Sequence, residues 1–225
     1  MRLRFLSAGA AQGLVASVAR QSGIDVEGTF GAVGAMLEKF DADEVCDIVI
    51  LTRRQIEALA ARKRIDSATI ADLGPVPTGI AVRASDPAPD VSSGERLRAA
   101  LLAADGIYFP DPAKATAGIH FAKVMDSLGI RAQVEGRLRI HPNGATAMRA
   151  LSEAPGRPIG CTQATEIVAT PGVKLVAPLP AGFDLNTVYT AAASAAASDP
   201  KAAANFIARL AGEGARALRT AAGFG

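Results

Sequence analysis

Residues 106–128, GIYFPDPAKATAGIHFAKVMDSL, decide the fold class of this 225-residue chain. Residues 107–109 form an apolar run typical of a short buried strand, and residues 110–112, Pro-Asp-Pro, turn the chain out of it. Small residues follow, and apolar side chains then recur with the i, i+3, i+4, i+7 spacing of a helix that packs against a sheet. These apolar positions are Phe121, Val124, Met125 and Leu128. The stretch therefore predicts a strand, a loop and a helix of an α/β fold.

The predicted start of this helix is a candidate anion site. Its first backbone N–H groups have no partner inside the helix, and the positive end of the helix dipole lies behind them. Lys114, the Thr116 hydroxyl and the small residue Ala117 lie beside these groups. An ordinary strand–helix connection has the same pattern. Lys114 is explained equally well by a solvated side chain and by a counter-charge to a carboxylate.

The first third of the chain repeats this arrangement. Strands, small-residue turns and helices alternate as β-α-β-α-β-α, which predicts a doubly wound parallel sheet. Ligands of such sheets bind beyond the carboxyl ends of the strands. The candidate ligand-binding residues at these ends are Ser7, Gly9, Ala10, Ala32, Val33, Thr52 and Arg54. Of the neighbours Arg53 and Arg54, we expect one to face solvent and the other to reach a carboxylate.

The middle of the chain has the composition of a domain crossing. Residues 72–90 are rich in proline and surround a predicted strand at residues 79–83, and we interpret them as the passage into a second domain. A further predicted strand at residues 158–161 ends at Thr162 and Gln163, which are two more candidate ligand contacts.

Composition excludes several classes of function. Apolar residues make up 49% of the chain and charged residues 20%, which is normal for a globular protein. The net charge of +2, the lack of a dense basic run and the absence of tryptophan argue against a nucleic-acid partner. No apolar run reaches the ~18 residues of a membrane span.

The two cysteines lie far apart inside apolar stretches. We expect Cys46 and Cys161 to be core thiols rather than a disulfide or a nucleophile.

Short motifs indicate neither a cofactor nor a leader. The dinucleotide fingerprint, the phosphate-binding loop and the nucleophile elbow are all missing from the sequence, so we expect no cofactor. The first residues pass directly into a predicted strand, without the long apolar region of a secretory signal. We therefore expect a cytoplasmic protein, or a periplasmic one from which a leader has been removed.

Four segments resemble the type II periplasmic-binding-protein fold, and most closely the molybdate-binding proteins of bacterial ABC transporters. They are RFLSAGAAQGL from Arg4, CDIVILTRRQIEALAARKRID from Cys46, DPAKATAGIHFAKVMDSLGI from Asp111 and DPKAAANFIARLAGEGARALRTAAGF from Asp199. The resemblance implies two Rossmann-like α/β lobes joined by two crossover strands, with a small anion bound in the cleft between them. One lobe would hold residues 1–79 and 188–225, and the other residues 80–187. A transporter permease is an implied partner only if the protein is exported.

The chain departs from the molybdate-binding proteins where those proteins place serine hydroxyls at the first two helix starts. The matching positions here are Gly9-Ala10 and Ala32-Val33, and the tyrosine of the late crossover is replaced near Asn186-Thr187. Backbone N–H groups can still hold an anion, and the smaller side chains leave room for a larger one. The chain resembles aconitate isomerase, a relative on the same scaffold, at least as much.

Two residues are candidate proton-transfer groups. His120 lies about one turn into the predicted helix, and it is either a hydrogen-bonded structural histidine or a ligand contact or base. Glu166 is either a helix-start carboxylate or a base. His141 is interpreted as a loop residue. No third ligand has a spacing that would make a metal site with the two histidines, so we expect none.

Three functions fit these observations. A binding protein would close on an oxyanion or a di- or tricarboxylate. An isomerase would use His120 or Glu166 to move a proton α to a carboxylate, and helix-terminal amides would stabilise the enolate. A sensor would signal to a protein partner through a basic helix face, although a solvated face explains that pattern equally well. This face holds Arg53, Arg54, Arg62, Lys63 and Arg64. The sequence favours the binding protein, with the isomerase as the alternative.

Overall fold

The computed structural model describes residues 2–225, which divide into two compact units. Unit 1 comprises the chain up to Val76 together with Thr187–Gly225, and unit 2 comprises Pro77–Asn186. The chain thus passes between the units twice. Within the described residues, no helix is long and apolar enough to cross a membrane.

Unit 1 is an α/β unit in which helices follow strands. Its elements are β1 (Arg2–Ala8), a 3₁₀ turn (Gly9–Ala11), α1 (Gln12–Ser22), β2 (Asp25–Gly31), α2 (Val33–Asp41), β3 (Ile48–Thr52), α3 (Arg53–Ala61), the first part of β4 (Ile65–Arg83), β9 (Asn186–Ser194), α9 (Pro200–Ala211), a second 3₁₀ turn (Glu213–Ala215) and α10 (Arg216–Ala221). The strand order is β2-β1-β3-β9, in which β1 is parallel to β2 and β3, and β9 is antiparallel to β3.

The core of unit 1 forms where apolar helix faces cover this sheet. β3 is buried at four consecutive positions, as expected for a central strand covered on both faces. The inner faces of α1 and α9 are fully buried, and the Phe5 and Phe206 rings meet edge to face with centroids 5.5 Å apart. The amphipathic pattern of the last helix therefore brings the C-terminal part of the chain onto the N-terminal sheet.

A buried carboxylate fixes the connections of unit 1. Asp47 precedes β3 and accepts the Arg4 backbone N–H at 2.9 Å, together with the Arg4 guanidinium at 3.2 and 3.3 Å. Asp47 also accepts the backbone N–H and the hydroxyl of Ser198 at 2.8 and 2.7 Å. Burial acts to raise the pKa of Asp47, but these hydrogen bonds outweigh burial and hold the pKa well below its usual range. One carboxylate thus joins β1, β3 and the chain before α9.

Unit 2 contains the remaining elements. They are the last part of β4, α4 (Gly94–Ala103), β5 (Gly106–Pro110), α5 (Thr116–Ser127), α6 (Arg131–Val134), a 3₁₀ turn (Glu135–Arg137), β6 (Leu138–His141), α7 (Gly144–Ser152), β7 (Pro158–Gln163), α8 (Ala164–Val168) and β8 (Val173–Pro178). Its strand order is β4-β7-β5-β6, with β8 on the other side of β4. β5, β6 and β7 are parallel, and β4 is antiparallel to β7 and β8.

The period-2 alternation of the strands divides the core of unit 2 between two faces of its sheet. Ile80, Ile107 and Phe109 belong to one cluster with the inner faces of α4 and α5. Their neighbours Ala81 and Tyr108 lie against a second cluster with Met148 and Leu151 of α7 and Ile167 of α8. Both faces are therefore covered by helices, as the parallel strands require.

The structure corrects one element of the prediction and confirms others. The strand expected at residues 79–83 begins at Ile65 and is 19 residues long. The helix expected after residue 113 is α5, and its predicted apolar positions Phe121, Val124 and Met125 are buried. The fourth predicted position, Leu128, is the C-cap of α5 and is partly buried against the same core. Cys46 and Cys161 are both buried free thiols, which confirms the expectation of core cysteines.

Candidate functional site

In unit 1, three parallel strands end at one edge of the sheet. The register pairs Ala8 with Gly31 and Ser7 with Ile50, so the carboxyl ends of β1, β2 and β3 lie level. A 3₁₀ turn, α2 or α3 begins directly beyond each end. This edge therefore brings together the predicted residues Ser7, Gly9, Ala10, Ala32, Val33 and Thr52.

Unit 2 has a corresponding edge. Tyr108 of β5 pairs with Gly160 of β7, and Pro110 pairs with His141 of β6, so these three parallel strands also end level. The antiparallel strand β4 reaches the same edge at Thr78, opposite Gln163. Helices α5, α7 and α8 begin just beyond the three strand ends, and they place the predicted residues Thr116, Ala117, Thr162 and Gln163 there.

The long helices differ in how their first backbone N–H groups are satisfied. Three of them, α4, α7 and α9, begin at a polar residue whose side chain accepts a first-turn N–H. These caps are Ser93 on Arg96 (3.3 Å), Asn143 on Thr146 (2.9 Å) and Asp199 on Ala202 (2.9 Å). Three others, α1, α2 and α5, begin after an alanine N-cap with no side-chain cap hydrogen bond. All three begin beyond the carboxyl ends just described, as does α3, whose N-cap Thr52 forms a capping box with Gln55. First-turn N–H groups that lack a side-chain cap favour an anion.

The first backbone N–H groups of α7 are hydrogen-bonded to a carboxylate of the chain itself. Glu166 accepts the Thr162 hydroxyl at 2.6 Å and the backbone N–H groups of Ala145 and Gly144, and the Asn143 side chain takes a further N–H. Burial raises the pKa of Glu166, and these hydrogen bonds partly oppose that effect. Glu166 itself lies in the first turn of α8, and the Thr162 hydroxyl is already used as a donor to it.

The start of α5 is shaped by close backbone packing. A Cβ atom on Gly118 would overlap the carbonyl oxygens of Pro110 and Asp111, so only glycine allows this approach. The preceding loop is held by the Asp111 carboxylate, which accepts the backbone N–H groups of Ala113 and Lys114 at 2.6 and 3.2 Å. The Lys114 side chain is exposed. The loop thus presents an ordered but uncapped helix end.

His120 makes a specific hydrogen bond within unit 2. Its Nε2 atom lies 2.7 Å from the carbonyl oxygen of Phe183. A carbonyl oxygen only accepts, so this nitrogen carries the proton and donates it. The bond ties α5 to the segment that precedes β9.

The predicted polar side chains of unit 1 also interact internally. The buried Ser7 hydroxyl donates to the carbonyl of Ala8 at 3.0 Å, and the Thr52 hydroxyl donates to the Gln55 side-chain oxygen at 2.7 Å. Neither hydroxyl is therefore available as a donor in this arrangement. Helix N–H groups and the Arg54 guanidinium are the remaining donors that the sequence predicted at this edge.

Arg53 and Arg54 have different surroundings. Arg53 is paired with Asp72, whose carboxylate also accepts the Thr190 hydroxyl at 2.7 Å. The Arg54 guanidinium is exposed, and it has no hydrogen bond or ion pair to any of residues 2–225. Of the two arginines, Arg54 is thus the one whose charge is not paired with another of these residues.

The basic face proposed for a sensor is largely neutralised. Arg62 pairs with Asp41 at 2.7 Å and Arg64 pairs with Asp43 at 2.6 Å, in addition to the pairing of Arg53. Three of its five cations therefore have acidic partners on the same unit.

Sequence reasoning did not single out two threonines at the edge of unit 2. Thr78 and Thr165 are buried, and neither hydroxyl has a hydrogen-bond partner within residues 2–225. No sequence pattern signals such hydroxyls, because both burial and the missing partner depend on tertiary packing.

His141, which was expected in a loop, is the last residue of β6. Its ring stacks on Tyr108 with ring centroids 6.0 Å apart, and burial lowers the pKa of His141. No cluster of three or more potential metal ligands occurs in the part of the chain that the structure describes.

Comparison with known proteins identifies the class. A family model described as "Bacterial extracellular solute-binding protein" matches residues 7–225, and the chain belongs to this family. The periplasmic molybdate-binding protein of Azotobacter vinelandii superposes with a TM-score of 0.79 at 16% identity, over 99% of this chain and 98% of that protein. The sulfate-binding protein SubI of Mycobacterium tuberculosis superposes with a TM-score of 0.74 at 15% identity, over 100% of this chain and 86% of that protein. The type II periplasmic-binding-protein fold expected from the sequence is confirmed.

One curated relative is an enzyme. An aconitate isomerase of Pseudomonas sp. is 23% identical over 185 residues, which cover 80% of this chain and 68% of the isomerase.

Proposed function

We propose that this protein binds a small anion, either an oxyanion or a di- or tricarboxylate. The observation that carries the proposal is the pattern of helix caps. The chain caps α3, α4, α7 and α9 with its own side chains, yet it leaves alanine before α1, α2 and α5 at the carboxyl edges of the two sheets. Uncapped N–H groups backed by helix dipoles recognise negative charge.

The surrounding charges support an anionic ligand with carboxylate groups. Arg54 is a cation without a partner among residues 2–225, and it follows the strand end at Thr52. A guanidinium matches the two oxygens of a carboxylate. Among the relatives, the named ligands of the two solute-binding proteins are molybdate and sulfate, whereas the isomerase is named for aconitate. Membership of a solute-binding family also supports a membrane permease as the protein partner.

A thermal-shift screen tests the proposal. The probes are molybdate, tungstate, sulfate, phosphate, and cis- and trans-aconitate, each with its sodium or potassium chloride control at equal ionic strength. A ligand present at ~100 times its dissociation constant adds roughly 2.7 kcal/mol to the free energy of unfolding. We expect at least one probe to raise the melting temperature beyond its salt control. Equal melting temperatures with every probe and control would contradict anion binding.

The isomerase is the second candidate, supported by the relative named aconitate isomerase. His120 and Glu166 would be its proton-transfer groups. Their present hydrogen bonds, to Phe183 and to the start of α7, favour binding over catalysis because a base needs access to the substrate. Incubation with cis-aconitate followed by chromatography of both isomers decides the matter. Conversion above the enzyme-free rate supports the isomerase, and its absence leaves binding as the function.

A further inference from the structure

Two buried hydroxyls in unit 2 lack the hydrogen bonds that such groups normally have. The side chains of Thr78 and Thr165 belong to residues that are 1% and 4% exposed, and neither Oγ1 has a partner within the described residues. A buried hydroxyl without a partner is unfavourable, and most buried side-chain polar atoms in folded proteins are satisfied. These two oxygens therefore indicate that some other group completes their hydrogen bonding.

Other buried threonine hydroxyls of the chain do have hydrogen-bond partners. Thr162 donates to Glu166 at 2.6 Å, Thr170 donates to the Glu166 carbonyl at 2.7 Å, and Thr190 donates to Asp72 at 2.7 Å. Each of these hydroxyls is satisfied by a neighbouring oxygen of its own unit. The hydroxyls of Thr78 and Thr165 differ from these because neither has a hydrogen-bond partner within the described residues.

Both unpartnered threonines lie at the carboxyl edge of the unit 2 sheet. Thr78 is the register partner of Gln163, the last residue of β7, and Thr165 follows Gln163 by two positions at the start of α8. The neighbouring parallel strand β5 ends level with β7, and it leads to the uncapped helix α5. The two hydroxyls thus belong to the same edge as the free helix donors.

We propose that the Thr78 and Thr165 hydroxyls are ligand donors that determine which anions this protein binds. The inference rests on the proposed function and deepens it by naming neutral side-chain donors. Both hydroxyl donors come from unit 2. Neutral donors together with a helix start suit an anion with several acceptor oxygens.

The test compares three threonine-to-valine variants, because valine keeps the shape and removes the hydroxyl. Thr78→Val and Thr165→Val each lose an oxygen that has no internal partner, so their ligand-free melting temperatures should be unchanged or slightly higher. The dissociation constant for the tightest probe of the screen should rise about five- to tenfold in each variant, as expected when one hydrogen bond is lost. Titration calorimetry with molybdate, sulfate and trans-aconitate distinguishes an oxyanion from a carboxylate ligand.

Thr170→Val is the matched control. It removes a satisfied buried hydroxyl of the same unit, so it should lower the ligand-free melting temperature and leave the dissociation constant unchanged. If Thr78→Val and Thr165→Val behave like this control, their hydroxyls have a structural role and the inference is wrong. If the wild-type protein binds none of the probes, the proposed function fails and this inference fails with it. Binding by the wild type with unchanged affinity in both variants overturns only the role of the hydroxyls.

Discussion

The Glu166 carboxylate accepts the Thr162 hydroxyl at 2.6 Å and lies against the first turn of α7, where a Cβ atom on Gly144 would overlap it. This contact gives one helix start of unit 2 an internal carboxylate, whereas no side chain within residues 2–225 caps the start of α5. The difference between the two helices is the basis of the proposed function.

Gly144→Ala should destabilise the protein strongly, because the added methyl group overlaps both the Glu166 carboxylate and the Thr162 hydroxyl. We expect a loss of about 2 kcal/mol in the free energy of unfolding, typical of overpacking in a tight site. Urea denaturation measures the change. Gly136→Ala is the control, since a Cβ atom there meets nothing within 4 Å. Equal stability of the two variants would show that Glu166 does not occupy the start of α7.

Asp47→Asn should lower the free energy of unfolding by about 3 kcal/mol, because it breaks a buried, charge-assisted network with Arg4 and Ser198. The exposed pair of Arg2 and Asp25 provides the control, and Asp25→Asn should change stability by less than about 1 kcal/mol. Urea denaturation at pH 7 compares the two variants.

Asp47 also predicts a pH dependence. Its folded-state pKa lies below the ordinary value, so its contribution is complete above the unfolded-state pKa of about 3.9 and is lost as the pH falls through the folded-state value. The wild-type protein should therefore lose stability below about pH 4 more steeply than Asp47→Asn. Parallel acid-unfolding curves for the two proteins would contradict the assigned network.

His120→Ala should lower the melting temperature, since it removes the hydrogen bond to the Phe183 carbonyl, a contribution of about 1 kcal/mol. Anion affinity should stay at the wild-type level. Thermal unfolding and calorimetry report the two quantities separately. Loss of aconitate turnover in a variant that is still folded would instead assign His120 to catalysis.

The two cysteines should be unreactive in the folded protein. Burial raises the pKa of Cys46 to about 12 and raises the pKa of Cys161 well above its usual value, so neither is a thiolate near neutral pH. Ellman's reagent should detect almost no thiol in native buffer and both thiols in guanidinium chloride. Rapid labelling under native conditions would show that one of the thiols is accessible.

Local patterns in the sequence predicted the elements whose periodicity is strong. The spacing of Phe121, Val124 and Met125 identified α5 and its buried face, because an amphipathic helix repeats its apolar side every 3.6 residues. The first part of β4 was missed, since Pro75, Pro77 and several polar residues interrupt the alternation of a strand. Side-chain hydrogen bonds of Thr69 and Asp72 join that part to β9, more than a hundred residues away.

The candidate site was predictable only in part. Small residues after strands located the uncapped helix starts, because that signal is local. Two features depend on contacts between residues far apart in the sequence. They are the hydrogen bonds of Glu166 to the start of α7 and the unpartnered hydroxyls of Thr78 and Thr165. Such contacts leave no spacing pattern by which a single sequence could reveal them.

The most direct test of anion binding at α5 is a calorimetric titration of Ala115→Asn with the tightest probe of the screen. Ala115 is the N-cap of α5, and asparagine there would copy the cap that Asn143 gives α7. Ala113→Asn, at an exposed position in the preceding loop, is the control. We predict that Ala115→Asn raises the ligand-free melting temperature and weakens binding at least tenfold, while Ala113→Asn binds as the wild type does. Unchanged affinity in a stabilised Ala115→Asn protein would contradict the account.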